Sequence, residues 1–152
     1  MLLPLLENSG TKDMEKIVAD ASVIAKFFIN EIYSEKAQKL RDSFILGQTS
    51  LIEPSLLFYE VMNAMLYSKV KKFTDDELKI IAKALVNYTF ELFDLNEILA
   101  KKAVDIAVEY SISFYDAVYV ALAITTNSKL YTADEKLLRA TKLSMIINIK
   151  DF

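Results

Sequence analysis

Short apolar, β-branched runs punctuate this chain, and between them lie longer stretches in which apolar residues recur at helical spacing. That alternation is the pattern of a parallel α/β fold. A strand buried on both faces needs no polar side, and a helix returning over the sheet needs one apolar stripe. Strands are expected at residues 16–19, 50–53, 91–95, 129–133 and 145–149, and helices at 22–29, 34–46, 56–67, 75–90, 97–110 and 115–126. The punctuation agrees. Gly47 is placed to end the second helix in a left-handed cap. Ser55 and Asn96 precede helices as N-caps, and Thr74 with Glu77 has the spacing of a capping box. Leu78, Ile81, Ala82, Leu85 and Val86 give the fourth helix the spacing of an amphipathic surface helix. The expected fold class is an α/β domain with a central, mainly parallel sheet covered on both faces.

A chain of 152 residues, 53% hydrophobic, suits one such domain, burying roughly two-thirds of the surface its unfolded form exposes. Residues 1–13 read as a loose leader outside it. Their apolar start is too short for a membrane span and lacks the cationic beginning of a signal peptide. Met14 is then a candidate native start, with residues 14–152 forming the single domain. A cytoplasmic protein with no membrane partner is expected.

Cysteine and histidine are both absent. That excludes disulfide frameworks, thiol catalysis, thiolate or imidazole ligation of zinc, and the Ser-His-Asp and Cys-His triads. Chemistry is left to carboxylates, hydroxyls, amides and lysine. The net charge of −3 makes the chain as a whole no magnet for nucleic acid.

The informative residues are charges out of place. Asp20 is the only charge between Lys16 and Lys26, at the carboxyl end of a strand. Glu60 is the only charge between Glu53 and Lys69, on a helix otherwise built of Leu56, Leu57, Phe58, Val61, Met62, Met65 and Leu66. Asp116 stands alone between Glu109 and Lys129, and Asp134 closes a strand as Asp20 does. Isolated carboxylates in apolar surroundings cost several kcal/mol. Brought together, two of them repel by about 4 kcal/mol at about 4 Å in an effective dielectric of about 20. A hard divalent cation, Mg²⁺ or Mn²⁺, relieves both costs with oxygen ligands alone.

Each residue has an ordinary reading as well. Asp20 and Asp134 suit turns and helix caps, and Asp116 suits the first turn of a helix. Simple surface exposure suits Glu60 least. Ser22, Asn63 and Thr132 lie close in sequence to the acids and are candidates to orient them, or else a cap, a solvated amide and a strand residue. Tyr33, Tyr59, Tyr115 and Tyr119 are candidates for base stacking or for core and interface. Lys26, Lys69, Lys71, Lys72, Lys129, Lys136 and Arg139 are candidates for contact with a nucleic-acid backbone, or a solvated charged face.

Asp20 in V-A-D-A-S, Glu60 in F-Y-E-V-M-N, Asp116 in F-Y-D-A-V-Y-V-A-L-A and Asp134 in Y-T-A-D, in that order from Lys16 onward, resemble the PIN-domain pattern, and within it the VapC toxin branch. The resemblance implies a three-layer α/β/α fold and an endoribonuclease that hydrolyses RNA phosphodiesters with Mg²⁺ or Mn²⁺. Asp20, Glu60 and Asp116 would be its principal ligands, and Asp134 would bind directly or through water, with Ser22, Asn63 and Thr132 in support. It also implies a homodimer and a cognate antitoxin whose tail blocks the site. The alternative from another class is a PIN-like binding module with a vestigial site in an RNA-processing or regulatory assembly. A haloacid-dehalogenase phosphatase would need an acid where Ser22 stands. A dinucleotide or P-loop site would need a glycine-rich turn, and Gly10 and Gly47 are the only glycines.

Overall fold

The computed structural model describes residues 14–152; the leader expected at residues 1–13 lies outside the described residues. Five strands form one sheet: β1 (Glu15–Ala19), β2 (Thr49–Pro54), β3 (Glu91–Phe93), β4 (Lys129–Thr132) and β5 (Ile146–Asn148), in the order β3-β2-β1-β4-β5. Every pairing is parallel. Ile17, Val18 and Ala19 of the central strand are wholly buried, as a strand covered on both faces requires. The chain steps outward from β1 to β2 and β3, then crosses to β4 and β5 beyond the other side of β1. Crossovers between parallel strands are right-handed, so this reversal sends the helices of the two halves to opposite faces. It also opens a crevice between β1 and β4 at their carboxyl ends, the place where such sheets bind ligands.

The helices are α1 (Ala21–Ile24), α2 (Ser34–Ile45), α3 (Leu56–Leu66), α4 (Asp75–Asn87), α5 (Glu97–Tyr110), α6 (Phe114–Thr125) and α7 (Glu135–Thr141). The axis of the core is α6. Ala117 through Ala123 are all buried, so this helix is apolar on every side, and it packs against β1, β2, β4 and α5. Gly47 does adopt a left-handed conformation, φ 73°, and the bonds Gln48 N–H to Ser43 O and Gly47 N–H to Phe44 O complete a Schellman closure. The Thr74–Glu77 capping box and the Asn96 cap are formed.

Three expectations need correction, and one element is additional. The helix expected at 22–29 is split, α1 tightening into a 3-10 turn at Ala25–Phe27. The helix expected at 75–90 stops at Asn87, because Tyr88 and Phe90 turn into an aromatic cluster with Phe27, Phe44 and Phe58; of its apolar face only Ile81 and Leu85 are buried. Ser55 does not cap α3: its own backbone is helical, and its hydroxyl bonds Asp94 instead. Finally, α7 was not expected at all.

Candidate active site

Asp20 ends β1 and begins α1. One carboxylate oxygen, Oδ1, accepts from Ser22 N–H at 3.1 Å, Val23 N–H at 3.3 Å and the Ser22 hydroxyl at 2.5 Å. The other, Oδ2, accepts from the Thr132 hydroxyl at 2.5 Å. Both hydroxyls are held in turn, since Ser22 Oγ accepts from Ala133 N–H at 2.9 Å and Thr132 Oγ1 from Asp134 N–H at 3.0 Å. The ends of β1 and β4 are thereby laced together across the crevice. Asp20 is a helix N-cap, as its ordinary reading has it, but a cap has no need of burial and Asp20 is only 5% exposed. Burial, with a smaller push from Asp116, raises its pKa to about 6 against the pull of Ser22, Thr132 and Val23.

Asp116 occupies the first turn of α6, with its N–H on the Ser113 hydroxyl at 3.1 Å. It lies within electrostatic reach of Asp20, Glu60 and Asp134, which makes it the hub of the group. Its pKa is raised, by burial first and by Asp134, with Ser113 opposing. Glu60 enters from α3, half-buried, and its pKa too is raised by burial, against Tyr119, and further by Asp116. Its Oε1 is buried without a hydrogen-bond partner, which is not how a surface glutamate sits. Asp134 caps α7 through Lys136 and Leu137 N–H.

The other expected residues divide. Ser22 and Thr132 are the braces of Asp20. Asn63 points elsewhere: it is exposed, in a groove of about 390 Å³ with Phe58, Tyr59, Met62, Leu66 and Leu78. Tyr119 is buried in the core, whereas Tyr59 and Tyr115 are exposed, and Tyr33 is partly buried in a left-handed conformation. Lys26 is not a solvated cation. It is 5% exposed and holds Glu31 at 2.9 Å, in a cavity of about 450 Å³ that Ser22, Glu60 and Lys69 also line. Lys71 pairs with Glu77 and Lys129 with Glu15, while Lys72, Lys136 and Arg139 are exposed.

Glu53 was overlooked. At the end of β2 it is wholly buried, its Oε1 accepts from Ala19 N–H at 2.9 Å, and burial pushes its pKa well up, with Asp20 adding to the rise. In the sequence a glutamate before Pro54 at a strand end reads as the start of a turn, so nothing local marks this burial.

Among the described residues no three carboxylates converge closely enough to hold a metal ion by themselves. The donor set is nonetheless all oxygen, acidic and partly unpartnered, and this suits a hard cation that keeps several waters. No single helix among the described residues is long and apolar enough to cross a membrane.

A doubly wound parallel sheet with carboxylates gathered at its switch point defines a class of α/β domains with an acidic site. Residues 17–143 match the PIN domain family model, and the chain belongs to the PIN-domain family. It is 30% identical over 125 residues to Ribonuclease VapC3 of Pyrobaculum aerophilum, a match covering 80% of this chain and 92% of that one. Its fold is similar to that of a toxin–antitoxin complex from Klebsiella pneumoniae, with a TM-score of 0.65, 17% identity, and 88% of this chain and 97% of that one covered. It is similar also to VapC20 of Mycobacterium tuberculosis, a sarcin–ricin loop cleaving toxin, with a TM-score of 0.64, 16% identity, and 82% and 95% covered.

Proposed function

We propose that this chain is a Mg²⁺- or Mn²⁺-dependent endoribonuclease that works in the cytoplasm as the toxin of a toxin–antitoxin pair. The observation that carries the reading is the gathering of Asp20, Glu60 and Asp116 from three separate elements around one hub, each with its carboxyl held above its ordinary pKa. Folding has concentrated negative charge where it is costly, and a cation is what repays that. Asp20, Glu60 and Asp116 would hold it, and Asp134 would do so directly or through water. Kinship with a ribonuclease supports RNA as the substrate.

A divalent ion bound there supplies charge neutralisation at the scissile phosphate and acidifies a water. The chain's own residues do the rest. Ser22 and Thr132 fix both oxygens of Asp20, so that carboxylate cannot rotate away. Asp116 and Asp134 are available to orient and deprotonate the attacking water. Lys69, which lines the same cavity as Glu60, would meet the RNA backbone.

The apolar surface of α3 and the residue that caps it, where Tyr59 is 76%, Leu66 57% and Tyr67 71% exposed, is more than a solvated helix needs, and suits a homodimer. The likeness to a toxin–antitoxin complex supports an antitoxin partner. The test is incubation of antitoxin-free protein with structured RNAs, in Mn²⁺ and then in EDTA. Cleavage that stops with EDTA supports the reading; intact RNA with folded, metal-loaded protein leaves a binding module.

A further inference from the structure

Buried polar atoms without a hydrogen-bond partner are scarce in folded proteins because each carries the cost of lost hydration. Among the described residues, three side-chain atoms are in that position: Glu53 Oε2, Glu60 Oε1 and Tyr119 Oη. They belong to one neighbourhood. β2, which carries Glu53, packs against both α3, which carries Glu60, and α6, which carries Tyr119. The tyrosine hydroxyl lies within electrostatic reach of both glutamates and of Asp20.

The elements explain the arrangement. Tyr119 follows Asp116 by three residues on α6 and so shares its face, and helical side chains lean toward the N-terminus. The ring fills the core beneath the acid site, and its hydroxyl is the only part that a phenylalanine would lack. Glu53 occupies a gap in the sheet. The register pairs Glu15 with Thr49, Lys16 with Ser50 and Ile17 with Leu51, so Ala19 would next meet Glu53. There the Ala19 N–H is answered by Glu53 Oε1 and not by backbone, one residue before Asp20. A leucine would fill that space and leave the N–H unanswered.

We propose that Glu53 and Tyr119 are positioning residues of the acid site: Glu53 ties down the backbone that carries Asp20, and the Tyr119 hydroxyl, the unpartnered donor of this neighbourhood, serves the equally unpartnered Glu60 Oε1 and so fixes that carboxylate toward Asp116. This rests on the metal-dependent reading above. The Tyr119 hydroxyl, buried and unpartnered among acceptors, is the group that sets which way Glu60 faces, and the amide bond at Ala19 sets the height of Asp20 in the crevice. Neither residue meets substrate.

The experiment is calorimetric titration of full-length protein with MnCl₂, followed by steady-state RNA cleavage and by thermal melting in EDTA. Tyr119→Phe is expected to weaken Mn²⁺ binding about tenfold, as loss of a group that orients a ligand does. It should lower kcat with KM for RNA unchanged, and leave the melting temperature in EDTA equal to wild type or higher. Glu53→Gln, whose amide oxygen still answers Ala19 N–H, should bind Mn²⁺ as wild type does, whereas Glu53→Leu should bind it about tenfold more weakly. If Glu53→Leu does not fold, the comparison of Tyr119→Phe with wild type decides alone. Tyr119→Phe with wild-type Mn²⁺ affinity and kcat overturns the positioning role while leaving the metal site standing. Wild type that takes up no Mn²⁺ overturns the metal reading and this inference with it.

Discussion

Replacing Asp20 by asparagine should stabilise the metal-free protein at neutral and alkaline pH, and the size of the effect follows from its burial. The folded carboxyl titrates at about 6 and the reference group at 3.8. At about 1.4 kcal/mol per unit, that difference is worth about 3 kcal/mol. Because the folded pKa is raised, the folded state binds the proton more tightly than the unfolded one. The contribution is therefore fully present below the unfolded value and is lost as pH climbs through the folded one. Asparagine carries no such dependence. It remains a good cap for Ser22 and Val23, but it exchanges the strong Thr132 bond for a neutral one at a cost of about 1 kcal/mol. The net gain near pH 8 is then about 2 kcal/mol, or roughly 4–8 °C in melting temperature for a domain of this size. Thermal denaturation in EDTA from about pH 4 to 8 measures it. Glu53, Glu60 and Asp116 are raised in the same sense, so both curves slope, and the difference between them isolates Asp20. Parallel curves for wild type and Asp20→Asn would refute the reasoning, since the variant would then have removed no titration.

Asp116→Asn should cut RNA cleavage by at least about a hundredfold, with the melting temperature in EDTA unchanged or raised; near-normal cleavage would remove Asp116 from the site. Glu60→Gln should melt higher than wild type in EDTA yet gain less on adding Mn²⁺, because the amide relieves repulsion and surrenders a ligand charge. An identical metal response in the two proteins would remove Glu60 from the ligand set. Expression of residues 14–152 alone should arrest growth, relieved by Asp20→Asn, as scored by colony counts. Light scattering should show a dimer that Tyr59→Glu dissociates; a wild-type monomer at high concentration would contradict that use of α3.

Where the sequence carries a long, clear period, the fold follows it: α2, α5 and α6 differ from expectation by about a residue at each end, within ordinary fraying. The failures share a cause in what neighbouring elements do. Over its seven residues α7 has only two turns, with Leu137 and Thr141 its buried positions, too few to establish a period. The chain after Asn87 is helical by its apolar spacing, but stacking of Tyr88 on Phe90 at 5.4 Å wins over one more turn, and no local pattern registers that aromatic cluster. Ser55 has the residue type of a cap, but its hydroxyl is claimed by Asp94 from the segment after β3.

The candidate site shows the same division at the level of single residues. Asp20, Glu60 and Asp116 are legible because each breaks an apolar run, and the energetic objection to a lone carboxylate in such a run holds whatever the surroundings turn out to be. Asn63, four residues before Tyr67 on the same helix as Glu60, is not placed by that logic. Three positions along a helix bring a side chain back to within about 60° of its starting face, so the spacing alone favours a shared side; what separates the two is the rim of α3, where Glu60 turns inward and Asn63 faces the groove toward Leu78. Glu53 is the most instructive case. A glutamate followed by proline at a strand end reads as the beginning of a turn, where charge is cheap. Its burial depends on β1 and β2 running in register and parting one residue before Asp20, so that a carboxylate oxygen stands in for a missing ladder bond. That is a property of two strands thirty-four residues apart, and only their pairing reveals it.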